Sequence, residues 1–200
     1  MTVCRQLLVR HRGLDPTAWT ALHALARLCG DDPPAALARA ALWEFTWEGD
    51  ADAEARLRAW VAGANWFANP NRDRATWRQS AGDATDLEAG AALAGGGVGC
   101  AGPGAYLVTA WRGAADAPEH EAAARRALGR PVRLRRGQVW WLAAAAGDAG
   151  RILAPGGAAA RLLANPHSES ARRVVGALPV PLLGDETGGA DGGAPGGERR

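Results

Sequence analysis

From Leu42 to Glu48 the chain alternates: Trp43, Phe45 and Trp47 fall on one side and Glu44, Thr46 and Glu48 on the other. Period two is the signature of a half-buried β-strand. Upstream, Gln6 to Arg12 reads as a short β-type run closed by Gly13-Leu14-Asp15-Pro16. Pro16 or Thr17 then opens a helix, with Asp15 as the candidate N-cap accepting from its free backbone amides. Its apolar residues Trp19, Leu22, Leu25 or Ala26, and Leu28 recur at helical spacing. A second helix is predicted from Asp52 to Phe67 through Leu57, Trp60 or Val61, and Ala64, and Pro70 ends it. Arg74 to Arg78 can add a short last strand.

The same order appears a second time. Tyr106 to Trp111 is the strand and Gly113 the turn; a helical stretch follows, then a strand pair and a helix from about Pro155 to Ala164. Arg136-Gly137 reads as a hairpin between Val132 to Arg135 and Gln138 to Ala145, and Ala171 to Val175 can form the last strand. Both halves pass through Ala-Asn-Pro, with 56 positions from Gly13 to Asn69 and 52 from Gly113 to Asn165. Gly95-Gly96-Gly97 and Gly102-Pro103-Gly104 mark a flexible linker, and the tail from Gly184 has few apolar side chains to bury. The expected organisation is a first repeat over 1–79, a linker over 80–104, a second repeat over 105–183 and a disordered tail over 184–200.

Each repeat is predicted to be β-α-β-β-α-β, a ferredoxin-like α+β layer with helices on one face of an antiparallel sheet. Such a sheet leaves its other face bare. Two copies can pack sheet on sheet, about 10 Å apart, as a pseudo-dimer. The residues expected in that interface are Trp43, Phe45, Trp47, Trp140 and Leu142.

Composition narrows the function classes. With 48% apolar and 22% charged residues the chain has a globular balance, and a net charge of +2 without a basic stripe argues against a nucleic-acid surface. Alternating aromatics on a βαββαβ sheet also suit RNA recognition, but this strand carries Glu44 and Glu48 where an RNA reader wants Lys or Arg. Cys4, Cys29 and Cys100 lie far apart without CxxC spacing, which predicts reduced thiols in the cytoplasm. No apolar run reaches the roughly 20 residues of a membrane span, and the N-terminus lacks a signal-peptide pattern. His11, His23, His120 and His167 show no metal-ligand spacing, Cys29 has no His partner, and the linker glycines form no phosphate loop. No catalytic or metal-binding residue is therefore predicted.

Several motifs together resemble a known family. Leu14-Asp15-Pro16, the helix with Ala21 to Leu25, the strand ending near Glu48-Gly49-Asp50 and the helix closing on Phe67-Ala68-Asn69-Pro70 are similar to PurS, the small subunit of phosphoribosylformylglycinamidine synthase. The second half resembles it in Val132 to Gly137 and Arg161 to Pro166, although Ala115-Asp116-Ala117-Pro118 replaces Leu-Asp-Pro there. The likeness covers about 140 of the 200 residues. It implies a non-catalytic subunit of purine biosynthesis that bridges a PurL-type synthetase and a PurQ-type glutaminase, with no nucleic acid or membrane partner. ATP, Mg²⁺ and glutamine would sit on those partners and no cofactor on this chain. Asp15, Asn69, Pro70, Asn165, Pro166, Arg133 and Arg135 are the candidate docking residues. The alternative reading is a ferredoxin-like regulatory or small-ligand-binding module, because fold alone does not fix function.

Overall fold

A computed structural model describes residues 1–30, 33–49, 51–93, 104–111, 118–144, 148–165 and 167–183. The chain runs β1 (Thr2–His11), α1 (Pro16–Leu28), β2 (Pro34–Glu48), α2 (Ala51–Gly63), β3 (Asp73–Arg78), a 3-10 turn (Glu88–Gly90) and β4 (Ala92–Leu93). It continues through β5 (Ala105–Trp111), α3 (Pro118–Leu128), β6 (Val132–Ala144), α4 (Ala149–Ile152), α5 (Ala158–Leu163) and β7 (Glu169–Val175). The fold is α+β. Among the described residues seven strands form one antiparallel sheet in the order β3-β1-β2-β6-β5-β7, with β4 beside β2.

The expected sheet-on-sheet packing is not what forms. Instead β2 and β6 pair edge to edge along almost their whole length, from Pro34↔Ala144 to Trp47↔Val132. Backbone hydrogen bonding therefore joins the halves, and the helices α1 to α5 lie on one face. The first half is β-α-β-α-β and the second β-α-β-α-α-β, neither the expected β-α-β-β-α-β, because the predicted strand pair is a single long strand. Arg136-Gly137 is no hairpin: the two residues sit inside the ladder opposite Trp43 and Leu42. Glycine serves a different purpose there, since a Cβ on Gly137 would collide with the backbone oxygen of Thr109 on β5.

On the helix face two separate cores form. One gathers Leu22 and Leu25 of α1 with Leu37, Leu107, Trp140, Leu142, Ile152 and Leu163. The other gathers Trp43, Phe45 and Trp47 with Leu57 and Val61 of α2, Phe67, Leu128 of α3, Val132 and Leu134. Asp15 caps α1 as its sequence suggests, accepting from the amides of Thr17 at 2.9 Å and Ala18 at 3.4 Å. By contrast α2 stops at Gly63, short of Phe67, and the last helix of the second half begins at Ala158 rather than near Pro155.

The second face is covered by the chain itself. Leu87 and a strap, residues 176–183, lay Leu178, Leu182 and Leu183 over Leu8, Ala38, Ala40, Leu42, Val139 and Trp141. Polar side chains grip the strap by its backbone. Glu44, 2% exposed, accepts from the amides of Leu182 at 2.6 Å and Leu183 at 3.1 Å and from Gln6 Nε2 at 3.0 Å. Arg78 donates to Leu178 O at 2.6 Å, Arg172 to Leu182 O at 2.7 Å, and Arg135 to Leu183 O. The first part of the expected linker is also folded onto the sheet. Leu87 is fully buried, and Asp86 accepts from Thr76 at 3.1 Å. Asp50, the linker residues Gly95 to Gly97, Cys100, Gly102 and Pro103, the turn at Gly113, Ala115 to Ala117, and the tail from Gly184 lie outside the described residues.

Candidate functional site: a polar cleft on the helix face

Between the two helix-face cores the sheet carries a polar strip that no described helix covers. A cleft of about 280 Å³ opens there, floored by Ala41 on β2 and Gly137 and Gln138 on β6. Strand alternation makes the strip: Arg39 and Ala41 share a face with Leu37 and Trp43, and Arg136 and Gln138 share it with Leu134 and Trp140. His11, Asp15, Arg72, Asp73, Trp43, Trp66 and Phe67 stand in the walls, with Val9 and Arg10 of β1.

Both carboxylates of the cleft are committed internally. Asp15 takes two hydrogen bonds from Arg39, Nε at 3.0 Å and Nη2 at 3.2 Å, besides its capping bonds. Asp73 takes two from Arg72, at 3.0 and 3.3 Å, and one from the amide of Asn69 at 2.9 Å. Burial pushes the Asp73 carboxyl up, but the Arg72 guanidinium and the Asn69 amide outweigh it and hold the group below its ordinary value. It is thus an anion at neutral pH. Arg136, exposed, lies with its guanidinium carbon 5.1 Å from the Trp43 ring centroid. Gln138 and His11 make no side-chain hydrogen bond among the described residues.

Of the expected interface residues, Trp43, Phe45 and Trp47 lie in one core together with Ala124, Leu128, Val132 and Leu134 of the second half. Trp140 and Leu142 lie in the other core with α1 of the first half. All five sit beneath helices. Among the docking candidates, Asp15 is 4% exposed and occupied as a cap and ion-pair partner. Arg135 holds the strap, and Arg133 is exposed. Pro70 is exposed at the turn after α2, and Pro166 lies outside the described residues.

The two asparagines, both exposed, shape identical turns. The Asn69 amide donates to Asp73 Oδ2 at 2.9 Å, its side-chain oxygen accepts from Asn71 N at 3.0 Å, and its carbonyl accepts from Arg72 N at 3.0 Å and Asp73 N at 2.7 Å. The Asn165 amide donates to Glu169 Oε2 at 2.8 Å, its side-chain oxygen accepts from His167 N at 3.0 Å, and its carbonyl accepts from Ser168 N at 3.2 Å and Glu169 N at 2.8 Å. Each turn follows a helix and launches an edge strand.

Sequence reasoning missed Arg39, Gln138 and Trp66 as cleft residues and Glu44 as the strap's anchor. Only a register for β2 against β6 could have shown that Arg39 and Gln138 share a face. Among the described residues no group of three or more His, Cys, Asp or Glu side chains could hold a metal, and no helix is long and apolar enough to cross a membrane. No family model, curated protein or solved structure matches the chain.

Proposed function

We propose that the chain is a non-catalytic, PurS-like accessory subunit in which two fused modules stand in for a dimer and bridge a PurQ-type glutaminase to a PurL-type synthetase. The observation that carries this reading is the Ala-Asn-Pro turn, built twice with the same four hydrogen bonds. Sheet register supports it. Leu7 pairs with Trp43, and the residues at the matching places of the second half, Leu107 and Trp140, pair likewise. Val9 pairs with Ala75, and Thr109 with Ala171. Ala41 and Gln138 correspond to each other and also pair, so they mark a pseudo-two-fold axis through the centre of the sheet. Fusion makes docking of the modules intramolecular, at high effective concentration. In this reading ATP, Mg²⁺ and glutamine bind the partners, and the setting is cytoplasmic.

The test is reconstitution. Tagged chain expressed with its host's glutaminase and synthetase is expected to retrieve both, and its omission to abolish product formation from glutamine while leaving synthesis from free ammonia. Retrieval of neither partner, with full glutamine-dependent activity in its absence, overturns the proposal. A second reading, a ferredoxin-like ligand-binding module unrelated to purines, is favoured by the open polar cleft above Ala41 and Gln138.

A further inference from the structure

We propose that the cleft above Ala41 and Gln138 binds a small molecule carrying one anionic group, carboxylate or phosphate, on a planar apolar body. Its volume of about 280 Å³ borders the roughly 300–1,000 Å³ of small-molecule sites. That size excludes a folded partner and suits a single ring with a charged head.

The chemistry of the walls selects the charge. Four arginines line the cleft, Arg10, Arg39, Arg72 and Arg136, against two carboxylates, on Asp15 and Asp73. Arg39 spends Nε and Nη2 on Asp15, which leaves Nη1 for a ligand. The Gln138 amide and the His11 imidazole add polar groups that the described fold does not use for its own hydrogen bonds. A cation would meet like charge on the arginines; an anion meets donors, and charge-assisted hydrogen bonds to guanidinium are the strong kind.

The floor and rim select the body. Ala41 keeps the floor low, since a larger side chain there would fill the space. Trp66, 51% exposed and stacked on Phe67 with ring centroids 5.9 Å apart, offers an aromatic wall beside the cationic end. Tryptophan and arginine, both present in the lining, are among the residue types in which binding energy concentrates.

The test is a titration of the full chain followed by tryptophan fluorescence, since Trp43 and Trp66 line the cleft. The probes are phenyl phosphate and benzoate, with neutral benzyl alcohol as control. A saturable response to either anion, with a much weaker response to benzyl alcohol, is expected. Arg136→Gln and Gln138→Leu should each weaken it about tenfold, the loss of one hydrogen bond to the ligand. The relative affinity of the two anions identifies the preferred head group. No saturable response, an equal response to benzyl alcohol, or wild-type binding in both variants overturns the proposal. If one variant fails to fold, the other decides. Because the isolated chain is titrated, failure here leaves the assembly role standing, and the reverse also holds.

Discussion

Arg136 on β6 lies over the ring of Trp43 on β2, its partner in the ladder, at 5.1 Å from the centroid. The reciprocal pair is Arg39 over Trp140 at 5.7 Å, also ladder partners. The two arginines differ in setting: Arg136 is exposed, whereas Arg39 also ion-pairs with the buried Asp15. Arg136→Met should therefore cost about 0.5–1 kcal/mol, the scale of exposed cation–π and charge contacts. Arg39→Met should cost about 2–4 kcal/mol, because it strands a buried carboxylate. Urea denaturation of the two variants measures the gap, and equal costs would contradict this account of Asp15.

Glu44 fixes the strap that closes the second face of the sheet. Replacing it with Gln keeps the size but exchanges a charged acceptor of three hydrogen bonds for a neutral group. A loss of about 2–3 kcal/mol is expected. The strap should also become the first site of limited proteolysis, with cleavage within residues 176–183 preceding that of the sheet. Cleavage at an unchanged rate would mean that the leucines alone hold it.

Much of the local structure was legible in the sequence. The Asp15 cap, the helical spacing of Leu22 and Leu25 and the period-two run from Trp43 to Trp47 all mark elements that form. What period two cannot say is which face meets helices. Trp43, Phe45 and Trp47 lie under α2 and α3, whereas the opposite face carries buried Glu44 and receives the strap. Arg136-Gly137 has the composition of a turn, yet it lies in a strand because β2 offers a continuous ladder on one side and β5 on the other. The cleft was hidden for the same reason: it exists only once Arg39, Ala41, Arg136 and Gln138 are set side by side by non-local pairing.

Gly137 and Gly13 give opposite predictions for one substitution. A Cβ at Gly137 meets backbone, the Thr109 oxygen, which cannot swing aside, whereas Gly13 has open space around it. Gly137→Ala should destabilise the fold by about 1–3 kcal/mol, as overpacking does. Gly13→Ala should stay within about 0.5 kcal/mol, as for ordinary surface changes. Thermal melts of both variants test the register of β5 against β6 directly, since a shifted register would move Thr109 and relieve Gly137.

Cys4 supplies a pH-dependent test of the second face. Burial, and next the negative charge of Glu44, push its thiol from the ordinary 9.0 up to about 12, while the Thr46 hydrogen bond and Arg5 act the other way. Between those values the unfolded chain has lost this proton and the folded chain still holds it. The unfolded state then binds fewer protons, so stability falls as pH rises. The contribution is complete below pH 9.0 and is lost as pH climbs toward about 12. Cys4→Ala should flatten this alkaline decline relative to wild type in urea midpoints measured across that range. Iodoacetamide at mildly alkaline pH should leave Cys4 unmodified in the folded chain and label it in denaturant, as peptide mass spectrometry would report. Labelling of folded Cys4 at the rate of a free thiol would show that neither burial nor Glu44 acts on it.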